Sequence, residues 1–350
     1  MKPVKYRFGI NKMGMMCGGL LGVFQLAQAA PTPDLGTCPA VKNDLQRLAC
    51  YDKLAGTVPP PSESAPPPEP VKQTIQPVSP ELANASLLSR DWELADEDKH
   101  GTFLFRPHHS SYFLPLKYNN EPNNAPFRGN LLEPQHNLNS LETKIRLSAK
   151  SKVAEGLFNG AADLWLGYTV VSFWQAYNRG VSAPFRETDY EPEAMLVFRT
   201  HYNVAGLTGR FINLGLSHES NGRSVALSRS WNRVYAQFGF ERGNFALLIR
   251  PWYRIPESAQ NDNNPDIKKY MGSGDLVATY HNGGNTYSLL LRNNLKSHAN
   301  RGAVQADWSF PLHGRLKGYV QYFNGYGESL IDYNYKQQSF GLGVSLADWK

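Results

Sequence analysis

Three things are scarce in this 350-residue chain, and each scarcity excludes something. Long apolar runs are missing beyond residue 30, where no stretch approaches the about 18 uninterrupted apolar residues that a membrane-crossing helix needs. Charged residues make up only 19%, and the Lys and Arg among them are scattered rather than clustered. That leaves no basic footprint for nucleic acid, so no nucleic-acid partner is expected. Cysteine numbers three, without a Cys-x-x-Cys pair, which argues against redox or thiolate–metal chemistry. What is abundant is aromatic and small: 12% aromatics, 18 Tyr and 30 Gly. The mean hydropathy of −0.45 matches a water-soluble protein. A membrane β-barrel shows lipid only every second residue, however, so the same average also fits a barrel.

The amino terminus has the pattern of a secretory signal. Lys2, Lys5, Arg7 and Lys12 precede a short apolar core, Met13 to Leu26, and Ala27-Gln28-Ala29 offers a small-x-small cleavage site. A signal peptide over residues 1–29 is expected, with Cys17 inside it. Four basic residues leave with it, so the net charge of +6 falls towards neutral. Cys38 and Cys50 remain, and two cysteines in an exported chain suggest one disulfide. Val41, Leu45, Leu48 and Ala49 recur at helical spacing, so residues 30–56 are expected to be a small disulfide-stapled helical segment, too short to fold well unaided. A proline-rich extended linker follows over 57–85.

From about residue 103, alternating runs are separated by Gly, Asn, Asp and Pro clusters. Twelve candidate strands fall at 104–118, 141–153, 162–177, 191–203, 209–220, 230–242, 244–255, 267–281, 285–294, 301–310, 314–324 and 336–347. Several reach about nine residues or more, which suits a tilted membrane strand. Lys144, Arg146, Ser148 and Lys150 share one face, and Ile145, Leu147 and Ala149 the other. Trp165, Trp174, Trp231, Trp252, Tyr270, Tyr319, Tyr322 and Trp349 fall near strand ends, where girdles form at membrane interfaces. A soluble β-sandwich is the alternative, but long strands with charge on the alternate face favour a closed barrel with a polar interior. The expected fold is all-β: a twelve-stranded antiparallel transmembrane β-barrel over 86–350, with a short N-terminal extension.

The stretch SHESNGRS, residues 217–224, ends the strand FINLGL. With period two, His218 and Ser220 share the apolar face of Ile212, Leu214 and Leu216. On the next strand Asn232 shares a face with Val234, Ala236, Phe238 and Phe240. A hairpin setting His218 opposite Asn232 also sets Ser220 opposite Ser230. Opposed side chains lie about 5 Å apart at Cβ, and same-face neighbours about 6.8 Å apart along a strand. The outward row is then Ser220, His218, Asn232: nucleophile, general base and orienting amide. Polar groups on a lipid face are costly unless they are used. Spacing alone does not separate this from a strand end that marks the water interface before an Asn-Gly turn.

These residues resemble the outer-membrane phospholipase A family of Gram-negative bacteria. Besides HESNGRS, the likeness extends to SRSWNR (228–233), PFRETDYEPE (184–193), NPDIKKYMG (264–272) and GYGESLIDYN (325–334). It implies an outer-membrane, calcium-dependent hydrolase of phospholipid acyl esters (A1, A2 and lysophospholipase activity) that is active as a homodimer on membrane phospholipid. By that resemblance Ser220 is the nucleophile, His218 the base and Asn232 the orienter. Ca2+ is implied to be held by the Arg223 carbonyl, the Ser228 hydroxyl and the Ser182 carbonyl of a second copy. The chain departs from the pattern at Val225 and Asn263, where acidic residues are typical, although Asp262 stands next to Asn263 and could substitute for it. It departs also at Val170, where a polar Gln is expected at the dimer seam, and at Lys350 in place of a terminal aromatic. A passive pore or structural barrel with a vestigial site, and an esterase acting on other lipids, are the rival readings.

Overall fold

The computed structural model describes residues 38–54, 86–128, 137–314 and 316–347. The expected signal peptide and linker, Trp349 and Lys350 lie outside the described residues. The chain divides into two units, Met1–Ile75 and Gln76–Lys350.

In the first unit Cys38 and Cys50 are bridged, with a Cα–Cα distance of 5.7 Å. The helix there, α1 (Asp44–Leu54), is shorter than the expected segment and begins after Val41. Asn43 caps it, its Oδ1 accepting from the Leu45 and Gln46 amides at 3.0 and 3.2 Å. Leu45 and Leu48 are exposed, so among the described residues of this unit the bridge, and not an apolar core, holds the helix.

The second unit holds thirteen strands: β1 (Phe105–Pro107), β2 (Ser111–Asn119), β3 (Leu141–Gly156), β4 (Ala162–Trp174), β5 (Phe185–Val204), β6 (Leu207–Ser220), β7 (Ser230–Arg242), β8 (Phe245–Ile255), β9 (Gly274–Asn282), β10 (Asn285–Asn293), β11 (Gly302–His313), β12 (Leu316–Tyr326) and β13 (Lys336–Ala347). From β2 to β13 each strand pairs antiparallel with the next, and β13 closes on β2 through Phe340 opposite Tyr118. The result is the expected closed twelve-stranded barrel. β1 lies outside that count and pairs with β3 beyond the reach of β2, Phe105 opposite Ser151. The run expected as one strand, 104–118, is therefore interrupted between Pro107 and Ser111. The run expected at 267–281 starts as a strand only at Gly274, because Lys268–Met271 forms a helical turn that buries Ile267 and Met271.

The wall is inside out relative to a soluble protein, as alternation requires. In β3, Lys144 and Lys150 are buried in the lumen while Leu147 is 53% exposed on the outer face. Leu166, Leu214, Leu216, Val234 and Leu342 are exposed likewise. An apolar exterior around a charged interior suits a bilayer and excludes the β-sandwich.

Charge in the lumen is paired. Glu142 accepts from Arg186 at 2.6 and 2.9 Å and from Lys117 at 2.9 Å. Arg186 also reaches Asp332 at 3.0 Å, and Glu328 joins Lys117 and Lys144 at 3.0 and 3.1 Å. Burial alone would raise the Glu328 carboxyl, but the two ammonium groups beside it hold it down at about 2. Loop residues Leu330, Ile331 and Asp332, between β12 and β13, are buried in this network. The N-terminal helix α2 (Leu87–Trp92) packs in the lumen as well. Trp92 meets Phe211 at 5.2 Å, Lys150 Nζ lies 3.2 Å from the Trp92 ring centre, and Glu93 binds Lys152 at 3.0 Å. Such a filled lumen speaks against the passive-pore reading.

Half of the expected aromatic girdle is interior. Trp165, Trp231, Trp252 and Tyr319 are buried in the lumen, where Arg233 stacks 4.2 Å over Trp231. They share the parity of the charged residues, and cations stabilise their ring faces. The exposed aromatics are others, including Tyr118, Tyr168, Tyr253, Tyr280, Tyr287, Trp308 and Phe340.

Replacing Arg186 with Met strands Glu142 and Asp332 with fewer cations. We expect a loss of about 3–5 kcal/mol, read as a lower denaturant midpoint in detergent by tryptophan fluorescence. A midpoint equal to that of the parent would refute the central role of this network.

Candidate active site

The β6–β7 hairpin places the outward row. Its register sets Leu216 opposite Val234, His218 opposite Asn232 and Ser220 opposite Ser230, as the alternation requires. Gly215 permits the close fit behind it: a Cβ there would stand 2.0 Å from Tyr235 Cζ, whose ring lies across the glycine. Inside the wall, Arg233 binds Ser217 at 3.1 Å and Glu219 at 2.9 Å, and also pairs with Glu191. Trp231 Nε1 donates to Glu219 at 2.8 Å. A one-residue slip would turn Arg233 to the lipid, so these inward contacts pin the outward register.

On the outer face, His218 Nδ1 lies 2.8 Å from Asn232 Oδ1. An amide oxygen only accepts, so Nδ1 carries the proton and Nε2 is left as the acceptor. Ser220 stands one position further along the same face. No direct hydrogen bond joins Ser220 to His218 among the described residues, and such contacts commonly tighten only with substrate bound. Asn232 Nδ2 donates to Glu257 Oε1 at 2.9 Å. Glu257 lies beyond β8, and no motif spacing points to it; its carboxylate meets Asn232 only because the loop after Ile255 folds back over the hairpin.

Of the residues implied for calcium, two share one region. The loop after Ser220 is organised by Asn221, which is buried. Its Oδ1 accepts from the Arg229 amide at 2.9 Å and the Arg223 amide at 3.3 Å. Its Nδ2 donates to the Leu227 carbonyl at 2.8 Å and to Glu187 at 2.9 Å. Gly222 takes a φ of +61°, a turn conformation that favours glycine. The Arg223 side chain also binds Glu187, at 3.1 Å. Ser228 Oγ accepts from Asn263 Nδ2 at 2.9 Å. Asp262 Oδ1 is held by Arg254 at 2.5 Å and by the Asn264 amide at 3.1 Å, which draws that oxygen towards Arg254. Ser182 is elsewhere, in the β4–β5 loop at a φ of +58°. Val170 faces outward two strands from Ser220, in the row Leu147, Val170, Tyr190, Ser220.

Together these groups can accept a hydroxyl proton beside hydrocarbon and offer neutral oxygens near by. The phospholipase A1 family model matches residues 88–346. A putative phospholipase A1 of Neisseria meningitidis is 44% identical over 270 residues, covering 75% of this chain and 70% of that protein. The solved outer membrane phospholipase A of Escherichia coli matches with a TM-score of 0.66 and 36% identity, covering 71% of this chain and 95% of that one; it has also been solved as an asparagine-to-alanine active-site mutant. The Salmonella typhi outer membrane phospholipase, solved as a dimer with bound calcium, matches with a TM-score of 0.64 and 36% identity over 71% of this chain and 94% of that one. By fold, by the match along the barrel and by these relatives, the chain belongs to the phospholipase A1 family.

Proposed function

We propose that this chain is an outer-membrane phospholipase that cleaves phospholipid acyl esters at the outward row of β6 and β7, with both A1 and A2 positions and lysophospholipids as substrates. The observation that carries this reading is the His218–Asn232 hydrogen bond on the lipid-facing wall. Ser220 Oγ attacks the ester carbonyl while His218 Nε2 takes its proton. Asn232 keeps the imidazole in the tautomer this requires, and Glu257, bound to the Asn232 amide, orients that amide in turn. The proton then passes from His218 to the departing lysophospholipid oxygen, leaving an acyl-serine. His218 next activates water, which releases the fatty acid and restores Ser220.

The oxygen donors around Ser228 fit a hard cation. The Arg223 carbonyl and Ser228 hydroxyl are oxygens, and rotation of the Asn263 amide would add a third to the side facing Ser228. Calcium, when bound, supplies positive charge beside the ester carbonyl. The Salmonella relative, a calcium-bound dimer, supports both the cation and a homodimer; in our reading the second copy contributes Ser182. None of the three donors carries charge, so the site depends on that second copy and on water. We assign residues 1–29 to a cleaved signal peptide, 30–56 to a stapled segment, 57–85 to a spacer and 86–350 to the phospholipase barrel.

Three outcomes are expected with purified protein and mixed phospholipid–detergent micelles. Ser220→Ala and calcium chelation each abolish fatty-acid release, the variant by at least about 10³-fold; hydrolysis surviving in the variant would sink the serine mechanism. Asn263→Asp lowers the calcium concentration for half-maximal activity by about tenfold, since ligand charge raises affinity; an unchanged requirement would place calcium elsewhere. Glu257→Gln lowers kcat by about tenfold with KM unchanged, as expected for a positioning residue. A change confined to KM would assign Glu257 to substrate binding instead.

A further inference from the structure

The interruption between β1 and β2 has a chemical consequence. Pro107 pairs with Ala149 and Tyr112 with Arg146, so residues 108–111 span only residues 147 and 148 of β3. Consecutive side chains of a continuous strand point to opposite faces. The break releases His108 and His109 from that rule, and their ring centres lie 4.0 Å apart.

Both imidazoles approach Glu193, which faces the lumen from β5 and has no exposure. His108 Nε2 is 2.7 Å from Glu193 Oε2, and His109 Nε2 is 4.0 Å from the same oxygen. The three donor atoms all lie within 4.8 Å of one another. Glu193 Oε1 is held separately by the Tyr235 hydroxyl at 2.9 Å, with Arg250 3.8 Å away, so the carboxylate presents Oε2 to the histidines. Gly167 is directly opposite Glu193, and a Cβ there would stand 3.2 Å from His108 Cδ2. The wall thus leaves room for this ring. His108 Nδ1 is buried without a hydrogen-bond partner among the described residues, so without a metal Nε2 donates to Glu193, and a metal at Nε2 would replace that proton.

We infer that His108, His109 and Glu193 form a lumen site for a divalent metal ion of the zinc type. Bonds of about 2.0–2.1 Å at tetrahedral angles separate neighbouring ligand atoms by about 3.4 Å. The observed 2.7 and 4.0 Å from Glu193 Oε2 lie on either side of that value. The His109 side chain is 25% exposed, and three protein ligands leave a fourth tetrahedral position that water would fill. Two imidazoles and a single carboxylate suit a borderline ion; a hard cation such as calcium prefers six to eight oxygens. The neighbouring Arg250 disfavours an ion held by charge alone. The metal would fasten the interrupted strand to β5, at a place separate from the outward row.

The test uses the full chain refolded in detergent, stripped with EDTA and loaded with zinc alone. One zinc per chain is expected to survive gel filtration at a large calcium excess. Cobalt in its place should give the intense visible bands of a tetrahedral site in the unmodified protein. His108→Gln and His109→Gln, checked for folding by the mobility of the unheated barrel, should each weaken zinc binding at least about tenfold, since losing a ligand costs more than losing a supporting hydrogen bond. Ser228→Ala should retain the zinc. Absence of retained zinc, displacement by calcium, or equal retention in the two folded histidine variants would overturn the site.

Discussion

Whatever the outer wall presents depends on charge being satisfied on the inner one. A strand of period two that offers leucine to lipid must offer its alternate residues to the lumen, and here those are lysine, arginine and glutamate. Glu142 therefore sits between Arg186 and Lys117, and Glu328 between Lys117 and Lys144. Behind His218 and Asn232 the same constraint acts through Arg233, bound to Ser217 and Glu219 on the facing strand. Breaking such a buried pair leaves an uncompensated charge, and slipping its register would turn a guanidinium into hydrocarbon. Barrel stability and the aim of the outward row are in this respect one problem.

That coupling explains what could be read from residues alone. Alternation through Leu214, Leu216, Val234 and Arg233 was enough to place the β6–β7 hairpin and its register, because parity on each strand is marked by charge. Aromatics carry no such mark. Trp231 and Trp165 resembled girdle residues by position, yet Trp231 shares the parity of Arg233, and parity rather than position decides its face. The break at His108 left no trace, since a His-His-Ser run looks like an ordinary strand end. Glu257 was invisible for another reason: its contact with Asn232 depends on how a loop folds back, and no periodicity reports that.

The loop after Ser220 shows a similar division of labour. Asn221 satisfies two backbone amides, one backbone carbonyl and Glu187 from a buried position. The loop is thereby held by the protein itself, whatever ion it receives. Asp262 illustrates the limit of counting acidic residues by position. It is adjacent to Asn263, but Arg254 binds its Oδ1, and the side chain hydrogen-bonded to Ser228 is the neutral Asn263 amide.

The outward row extends well beyond the hairpin. Leu147, Val170, Tyr190 and Ser220 lie side by side across β3, β4, β5 and β6. A second copy docking on that row would cover Val170 with apolar contact alone, since the side chain there offers no hydrogen bond. Its grip would come from excluding lipid and from packing, which are weaker drives in a bilayer than in water. On the proposed reading, the same encounter brings in the Ser182 carbonyl that an uncharged donor set lacks. Weak apolar docking and a weakly charged ion site would then reinforce each other: the ion would join the copies, and the copies would complete the ion's ligands. On the proposed reading, such an arrangement would keep the site idle until two copies and the ion meet.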